Sequence, residues 1–225
     1  MLRAVIFDID GTLVDSNDLH ARAWQKAFER FGFQLPFAQV RSQIGKGGDQ
    51  LIPALIPDED VKRIGEQLSE HRSGLFKAEY LQKVHGFPKV RALFEQILND
   101  GRRIGLASSA KEEELAALKQ AADIADLIDE QTSSDDAEKS KPHPDIVEAA
   151  LRRLRVQPDE AIFVGDTPYD AIAATRLHVR TIGVLCGGFP ESELRKAGCI
   201  EIYNDPADLL SKYEVSALAE ARRAS

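Results

Sequence analysis

Residues 3–12 read Arg-Ala-Val-Ile-Phe-Asp-Ile-Asp-Gly-Thr, and this stretch indicates both a fold class and a site. The run Ala4–Phe7 is short, continuous and apolar, which is typical of a strand buried on both faces of a parallel sheet. It leads directly into Asp8 and Asp10, which point to the same side of an extended chain, and Gly11 permits a turn after them. Because ligands of open parallel sheets bind beyond the carboxyl ends of the strands, we expect two carboxylates in that crevice.

The same strand pattern recurs along the chain, alternating with amphipathic helices. Further strands are expected at residues 103–107, 127–130, 161–164, 179–185 and 199–203. One helical stripe runs from Val90 to Leu98, with Pro88 expected at the first helical position, and another runs from Ile146 to Leu154. This alternation predicts an α/β fold, a Rossmann-like three-layer sandwich with a parallel sheet.

Residues 16–84 interrupt the alternation with helical periodicity alone. Trp24, Ala27, Phe28 and Phe31 share one helical stripe, and three prolines divide the rest of the segment into short helices. We therefore predict two domains: a Rossmann-like core of residues 1–15 and 85–225, and an inserted all-helical cap domain of residues 16–84.

Composition limits the function classes. The 225 residues carry 29 Lys and Arg against 37 Asp and Glu, and the net charge of −8 argues against nucleic acid as the partner. No apolar run is long enough to span a membrane, no secretory leader pattern is present, and two cysteines cannot form a disulfide framework. A reduced, cytoplasmic protein is expected. An acidic protein can still hold a small phosphorylated ligand at one local positive site.

Polar residues follow two further strands at the same edge of the predicted sheet. Two serines end the strand at 103–107, and two aspartates follow the strand at 161–164. A lysine between them precedes a proline, which favours an extended backbone at that point. Carboxylates, hydroxyls and one cation are therefore expected at one face of the sheet; these residues are Ser108, Ser109, Lys141, Asp166 and Asp170.

The order of these motifs resembles the haloacid dehalogenase superfamily. Its four motifs are matched by DxDGT at Asp8–Thr12, a hydrophobic run ending in Ser108, Lys141 before a proline, and GDxxxD at Gly165–Asp170. The helical insert after the first motif resembles the helical cap of that superfamily. Within it, the chain is most similar to the branch of phosphoglycolate phosphatases and β-phosphoglucomutases.

The resemblance implies a division of roles. Asp8 would be the nucleophile that becomes an aspartyl phosphate, and Asp10 the general acid and base. Ser108 and Lys141 would bind the transferring phosphoryl group. The implied cofactor is Mg²⁺, held by Asp8, the main-chain carbonyl of Asp10 and Asp166, with Asp170 as a further carboxylate on the metal side.

Substrate contacts are implied for four residues: Thr12, Ser109, His20 and Lys46. His20 lies one turn before Trp24, so it either touches substrate or packs on that tryptophan as a partly buried histidine. Lys46 belongs to the glycine-rich segment 45–49, which matches neither a Walker loop nor a dinucleotide fingerprint. Lys111, just after the serine motif, either contacts phosphate or extends into solvent, and solvent is the favoured expectation.

The leading expectation is a Mg²⁺-dependent phosphatase for a small phosphorylated metabolite, of the sugar phosphate or phosphoglycolate type, working as a monomer. A β-phosphoglucomutase-type mutase is the first alternative, supported by His20 and Trp24. Glu112 stands where those mutases have an asparagine, the segment 45–49 lacks their arginine, and Thr12 replaces an aliphatic residue common there. A non-catalytic, phosphorylatable receiver-like domain is a remote alternative, because receivers carry the acceptor aspartate on the third strand and have no helical insert.

Overall fold

The computed structural model describes residues 1–133 and 136–222 and contains a six-stranded, all-parallel sheet. Its strands are β1 (Ala4–Phe7), β2 (Arg103–Ala107), β3 (Glu130–Thr132), β4 (Ala161–Gly165), β5 (Arg180–Val184) and β6 (Cys199–Tyr203). Their spatial order is β3-β2-β1-β4-β5-β6, so β1 lies in the middle. The order changes direction at β1, which places the end of that strand at the crevice where such sheets bind ligands.

Helices connect the strands and flank the sheet. They are α1 (Asn17–Arg30), α2 (Phe37–Arg41), α3 (Gly48–Leu51), α4 (Asp58–Glu79), α5 (Val90–Asn99), α6 (Glu112–Ala121), α7 (Asp145–Leu154), α8 (Pro168–Thr175), α9 (Glu191–Ala197) and α10 (Pro206–Ser211). The predicted α/β sandwich is confirmed. In the part of the chain that the structure describes, no helix is both long enough and apolar enough to cross a membrane.

Side chains of β1 alternate between two apolar layers. Val5 and Phe7 pack in a cluster with α5, and the rings of Phe7 and Phe94 are 4.7 Å apart. Ala4 and Ile6 pack in a second cluster with α7 on the opposite face of the sheet. All four side chains of β1 are fully buried, which fixes the strand and hence the position of Asp8 after it.

Two predicted boundaries are wrong by a few residues. The strand expected at 127–130 lies at 130–132, because Asp129 is tied to Ile104 through both its main chain and its carboxylate before the ladder with β2 begins. Pro88 is not the first residue of α5. Lys89 adopts a left-handed conformation (φ 65°), which no α-helix contains, so the helix starts at Val90.

The segment after β1 consists of helices α1 to α4 and has an apolar cluster of its own. Trp24 and Phe28 of α1 pack there with Leu51 of α3 and Leu68 of α4. Phe31, which follows the last residue of α1, is partly buried against them. The helical character of the segment is therefore as expected from its periodicity.

Candidate active site

Four charged side chains meet at the carboxyl edge of the sheet. Asp8 follows β1, Asp166 follows β4, Asp170 lies in the first turn of α8, and Lys141 reaches them from the loop before α7. One carboxylate oxygen from each aspartate lies within 4.8 Å of the others. We call these residues the core cluster. The structure thus brings together residues that stand up to 162 positions apart, since 170 − 8 = 162.

Lys141 is the cation of the core cluster. Its Nζ donates to Asp8 Oδ1 and, at 2.7 Å, to Asp170 Oδ1, and its side chain is 1% exposed. Asp170 is held in turn by Thr167, the N-cap of α8, whose main-chain N–H and hydroxyl both donate to Asp170 Oδ2. Both carboxylate oxygens of Asp170 therefore accept hydrogen bonds, which fixes the orientation of this side chain.

Both carboxylate oxygens of Asp166 accept hydrogen bonds. Thr12 Oγ1 donates to Oδ1 at 3.0 Å, and Asn17 Nδ2 donates to Oδ2 at 2.7 Å. Asn17 also donates to the carbonyl of Gly187 at 3.0 Å, and a Cβ at Gly187 would overlap Asp166. Thr12 is fully buried and does not line the cavity described below; its predicted contact with substrate stays a prediction.

The electrostatics of the core cluster favour a divalent cation. Burial raises the pKa of Asp8 well above its usual value, with Lys141 opposing the shift and the neighbouring carboxylates adding to it. Burial, together with Asp170, raises the pKa of Asp166 to about 7. Burial alone would lower the pKa of Lys141, but the carboxylates of Asp170 and Asp8 outweigh it, so the pKa is raised.

Three buried carboxylates thus face one lysine, and negative charge exceeds positive charge. Carboxylate oxygens are the ligands that Mg²⁺ prefers, and the donor set fits this ion. The carboxylate of Asp10 is not part of this group of three carboxylates. The contact with Mg²⁺ that the sequence predicts for Asp10 is therefore one through its main-chain carbonyl.

Asp10 points instead to the first turn of α1. Its Oδ1 accepts a hydrogen bond from Ser16 Oγ at 2.5 Å and lies 2.8 Å from His20 Nε2. Arg72 Nη2 lies 2.6 Å from His20 Nδ1. A guanidinium can only donate, so Nδ1 accepts and Nε2 carries the proton given to Asp10. Burial would raise the pKa of Asp10, but His20 and Ser16 outweigh it and lower it.

The sequence leaves two alternatives for His20: contact with substrate, or packing on Trp24 as a partly buried histidine. The structure matches neither of them completely. His20 is 4% exposed and stacks on Phe76, with ring centroids 3.9 Å apart, rather than on Trp24. It also lines the cavity beside Asp10.

The two serines after β2 differ in their surroundings. Ser108 is fully buried, and its Oγ accepts a hydrogen bond from the N–H of Ala110 at 3.0 Å. Ser109 lines the cavity, and its buried Oγ has no hydrogen-bond partner among the described residues. An unpartnered hydroxyl in this position is available to a ligand.

A cavity of about 310 Å³ lies above the core cluster, between the sheet edge and the helices of the insert. Its floor includes Asp8, Asp10 and Lys141. We call its opposite side the helical wall, formed by His20 and Trp24 of α1, Arg72 of α4 and Glu114 of α6. The cavity is at the lower end of the range for small-molecule sites, roughly 300–1,000 Å³.

Lys46 and Lys111 also line this cavity. Lys46 Nζ donates to Gln43 at 2.6 Å and lies 4.7 Å from the ring centroid of Tyr169. Burial lowers the pKa of Lys46. Lys111 is exposed, as the sequence predicts, but it stands at the cavity and not away from it.

The segment that contains Lys46 contacts loops of the sheet edge. Tyr169 donates its hydroxyl to the carbonyl of Ser42 at 2.7 Å, and Asp49 accepts the N–H of Ser140 at 3.1 Å. A Cβ at Gly45, where φ is +103°, would come within 2.6 Å of Thr167. These contacts close the cavity on the side of α8.

Sequence reasoning missed three residues of the site: Asn17, Arg72 and Glu114. Arg72 lies four residues from both Leu68 and Phe76, which are buried on α4. An arginine in the middle of an apolar i, i+4 stripe is a signal that could have been used. Asn17 could have been suspected from its place beside the aspartate motif. Glu114 stands among three consecutive glutamates, and nothing in the sequence distinguishes it.

Comparisons with known proteins agree with this geometry. The family model described as haloacid dehalogenase-like hydrolase matches residues 5–184. A phosphoglycolate phosphatase of Yersinia pseudotuberculosis is 33% identical over 83% of this chain and 82% of its own length. A putative pyrophosphatase PpaX of Clostridium perfringens is 25% identical over 95% of this chain and 98% of its own. A crystal structure of a hydrolase from Pseudomonas syringae covers 96% of this chain and 99% of its own, with 28% identity and a TM-score of 0.88.

Proposed function

The chain belongs to the haloacid dehalogenase-like hydrolase family and is an enzyme, and from this premise we propose that it is a Mg²⁺-dependent phosphatase. Its substrate is a small-molecule phosphate monoester, and the reaction passes through an aspartyl phosphate on Asp8. The observation that carries the proposal is the core cluster. A buried carboxylate at the end of the central strand lies beside one lysine and two further carboxylates, on the floor of a small cavity.

In the first step, an oxygen of Asp8 attacks phosphorus and the bond from phosphorus to the ester oxygen breaks. Asp10 gives its proton to the departing oxygen, so that an alcohol leaves. The low pKa of Asp10 favours the ionised form before substrate binds. A phosphate dianion that enters beside Asp10 adds negative charge, which raises its pKa and favours the protonated form that this step needs.

In the second step, Asp10 accepts a proton from water while the oxygen of that water attacks phosphorus. The bond from phosphorus to Asp8 breaks, the Asp8 carboxylate is restored and inorganic phosphate leaves. Lys141 and Ser108 hold oxygens of the phosphoryl group in both steps, and charge on those oxygens is greatest in the crowded transition state. Thr12 and Asn17 act as positioning residues, because they orient Asp166.

Asp8, Asp166 and the main-chain carbonyl of Asp10 would hold the Mg²⁺, with Asp170 orienting the lysine beside it. When bound, the ion supplies charge that offsets the repulsion between the carboxylates and the anionic substrate.

We also propose the domain division expected above: a core of residues 1–15 and 85–225 and a cap of residues 16–84. The separate apolar cluster of α1 to α4 supports it. The cap then carries His20 and Lys46 to the substrate side of the cavity. The partner is a small phosphorylated metabolite, and a cytoplasmic monomer stays part of the proposal.

The mutase alternative differs in the fate of the phosphoryl group. His20 and Trp24, which support it in the sequence, do line the cavity. A mutase converts β-glucose 1-phosphate to glucose 6-phosphate without net phosphate release, and this product separates the two functions.

The test is phosphate release from an aryl phosphate such as 4-nitrophenyl phosphate. We expect turnover with Mg²⁺ and none after chelation with EDTA. Asp8→Asn should lower kcat by at least about 10⁴-fold, because an amide is a poor nucleophile. Asp159→Asn, an exposed aspartate far from the cavity, is the matched control and should leave kcat unchanged. Undiminished turnover by Asp8→Asn would contradict the assignment of the nucleophile.

A further inference from the structure

The helical wall contains a buried ion pair between the insert and the core. Arg72 Nη1 of α4 lies 3.7 Å from Glu114 Oε2 of α6, with the Arg72 side chain 16% and the Glu114 side chain 1% exposed. Ser73 donates its hydroxyl to Glu114 Oε1 at 2.9 Å. The Glu114 carboxylate is buried and lies beside this arginine. Its negative charge therefore offsets the positive charge of the Arg72 guanidinium.

Arg72 is fixed in position by its other neighbours. Its guanidinium carbon is 5.2 Å from the ring centroids of both Trp24 and Phe76. Nη2 contacts His20, whereas Nε is buried and has no partner among the described residues. Nε is thus an unused N–H donor, while the positive charge of the side chain is shared with Glu114 and with Asp10, which also interacts with it.

Away from the core cluster and Asp10, the charges around the cavity are balanced. Beyond Asp8, Asp10 and Lys141, the charged lining residues are three acidic ones, Asp49, Glu114 and Glu138, and three basic ones, Lys46, Arg72 and Lys111. A second anionic group on the substrate would therefore meet no net positive charge, and it would approach a buried carboxylate. Like charges placed together at a binding site disfavour a ligand strongly.

The neutral groups of the cavity suit hydroxyls. Ser109 Oγ and Arg72 Nε are buried and unpartnered among the described residues, Ser69 adds a further hydroxyl to the lining, and Trp24 offers an aromatic surface. A hydroxyl both donates and accepts, so it can pair with acidic, basic and neutral groups alike. The cavity of about 310 Å³ leaves room for a short carbon skeleton only.

We propose that the group esterified to phosphate is a small, uncharged, hydroxylated skeleton, a sugar or polyol, and that Glu114 determines this specificity by neutralising Arg72. A substrate with a second anion, such as a phosphorylated carboxylic acid or pyrophosphate, is rejected. This inference rests on the proposed phosphatase function and names the substrate class of the same cavity.

The experiment compares kcat/KM for two sets of substrates at saturating Mg²⁺. In the uncharged set, the group esterified to phosphate carries no charge; its members are glycerol 3-phosphate, erythrose 4-phosphate and glucose 6-phosphate. In the anionic set, a second anionic group is present; its members are 2-phosphoglycolate and pyrophosphate. For the wild type, we expect the best uncharged member to exceed both anionic compounds by at least about tenfold. Equal or better hydrolysis of either anionic compound would overturn the proposal. Continued hydrolysis of 4-nitrophenyl phosphate in that case would leave the proposed phosphatase function standing.

The variant Glu114→Gln tests the role of the carboxylate itself. It keeps the acceptor for Ser73 but exposes the charge of Arg72, so the ratio of kcat/KM for 2-phosphoglycolate to that for the best uncharged substrate should rise about tenfold or more. Glu113→Gln is the matched control, because Glu113 is 83% exposed on the same helix and pairs with Lys77 of α4; its ratio should not change. A folded Glu114→Gln protein with an unchanged ratio would refute the role of Glu114. Should that variant not fold, the ranking of substrates by the wild type decides the proposal.

Discussion

The core cluster and the helical wall lie on opposite sides of one cavity and are built in different ways. The core cluster takes its three aspartates from the end of a strand or the start of the following helix, where the main chain is fixed by the sheet, and Lys141 joins them from the loop before α7. The helical wall joins side chains from three helices, and its contacts run between residues such as His20 and Arg72 that only packing brings together.

The two sides also differ in charge. The core cluster has three carboxylates for one lysine, an imbalance that favours a cation and a phosphate group together. In the helical wall, one arginine is matched by one buried glutamate. We infer that the core cluster supplies the chemistry common to the family, whereas the helical wall adapts the cavity to one class of substrate.

The largest effect should come from the cation of the core cluster. Lys141→Met removes the positive charge and leaves Asp8 and Asp170 buried without it. We expect kcat for an aryl phosphate to fall about 10²–10³-fold. The free energy of unfolding should fall by about 3–5 kcal/mol, measured by denaturant titration.

Lys196→Met is the matched control for Lys141→Met. Lys196 is exposed on α9. Its replacement should leave kcat unchanged and the free energy of unfolding within about 0.5 kcal/mol of the wild type. If Lys141→Met kept wild-type kcat, the core cluster would not be the site of phosphoryl transfer, and the contrast between the two sides of the cavity would fail.

Most of the core cluster could be predicted from the sequence because its residues are tied to strand ends. Once β1 is recognised, Asp8 can point only to the crevice, and the same holds for Asp166 after β4. The hydrogen bonds that orient these residues could not be predicted. The hydrogen bond from the Thr12 hydroxyl to Asp166, for example, depends on how close β1 and β4 lie.

The helical wall was largely hidden in the sequence for a physical reason. Periodicity predicts which face of α1 or α4 is buried, but not which residue of another helix meets it. Taken alone, Arg72 is predicted to be a charged residue on a solvated face. Its spacing of four residues from the buried Leu68 and Phe76 indicates instead that it lies on the buried face of α4. Glu114 is 1% exposed while its neighbour Glu113 is 83% exposed, and only the docking of α6 against α4 separates them.

A smaller effect is expected where the helical wall touches the chemistry. His20→Gln removes the imidazole that donates to Asp10, and we expect kcat to fall roughly tenfold to 10²-fold, less than the loss of a general acid itself. Because His20 helps to keep the pKa of Asp10 low, the pH–rate profile should move to higher pH.

His71→Gln is the control for His20→Gln, since His71 is an exposed histidine of α4. A fall in kcat with an unmoved pH–rate profile would show that His20 acts through packing on Phe76 and not through Asp10. In that event, the helical wall would influence the reaction through packing and not through the charge of Asp10.

The smallest effect concerns the cation itself, and it is measured as a shift in Tm. The pKa of Asp166 is raised to about 7 by burial and by Asp170, above its ordinary value of 3.8. The metal-free folded state therefore holds a proton that the unfolded chain releases between these values, and its stability falls as pH rises from about 4 to 7. Mg²⁺ competes with that proton, so its apparent affinity should weaken about tenfold for each pH unit below 7.

Thermal unfolding at a fixed Mg²⁺ concentration should therefore show a pH-dependent gain in Tm. At ten times the dissociation constant, the gain is about 1.4 kcal/mol, or roughly 3–6 °C, above pH 7, and it should shrink steadily toward pH 5.5. Asp166→Asn removes both the ligand and its proton, so its Tm should respond little to Mg²⁺ at any pH. A gain of equal size at pH 5.5 and pH 8 would mean that the ion binds away from the protonated carboxylates.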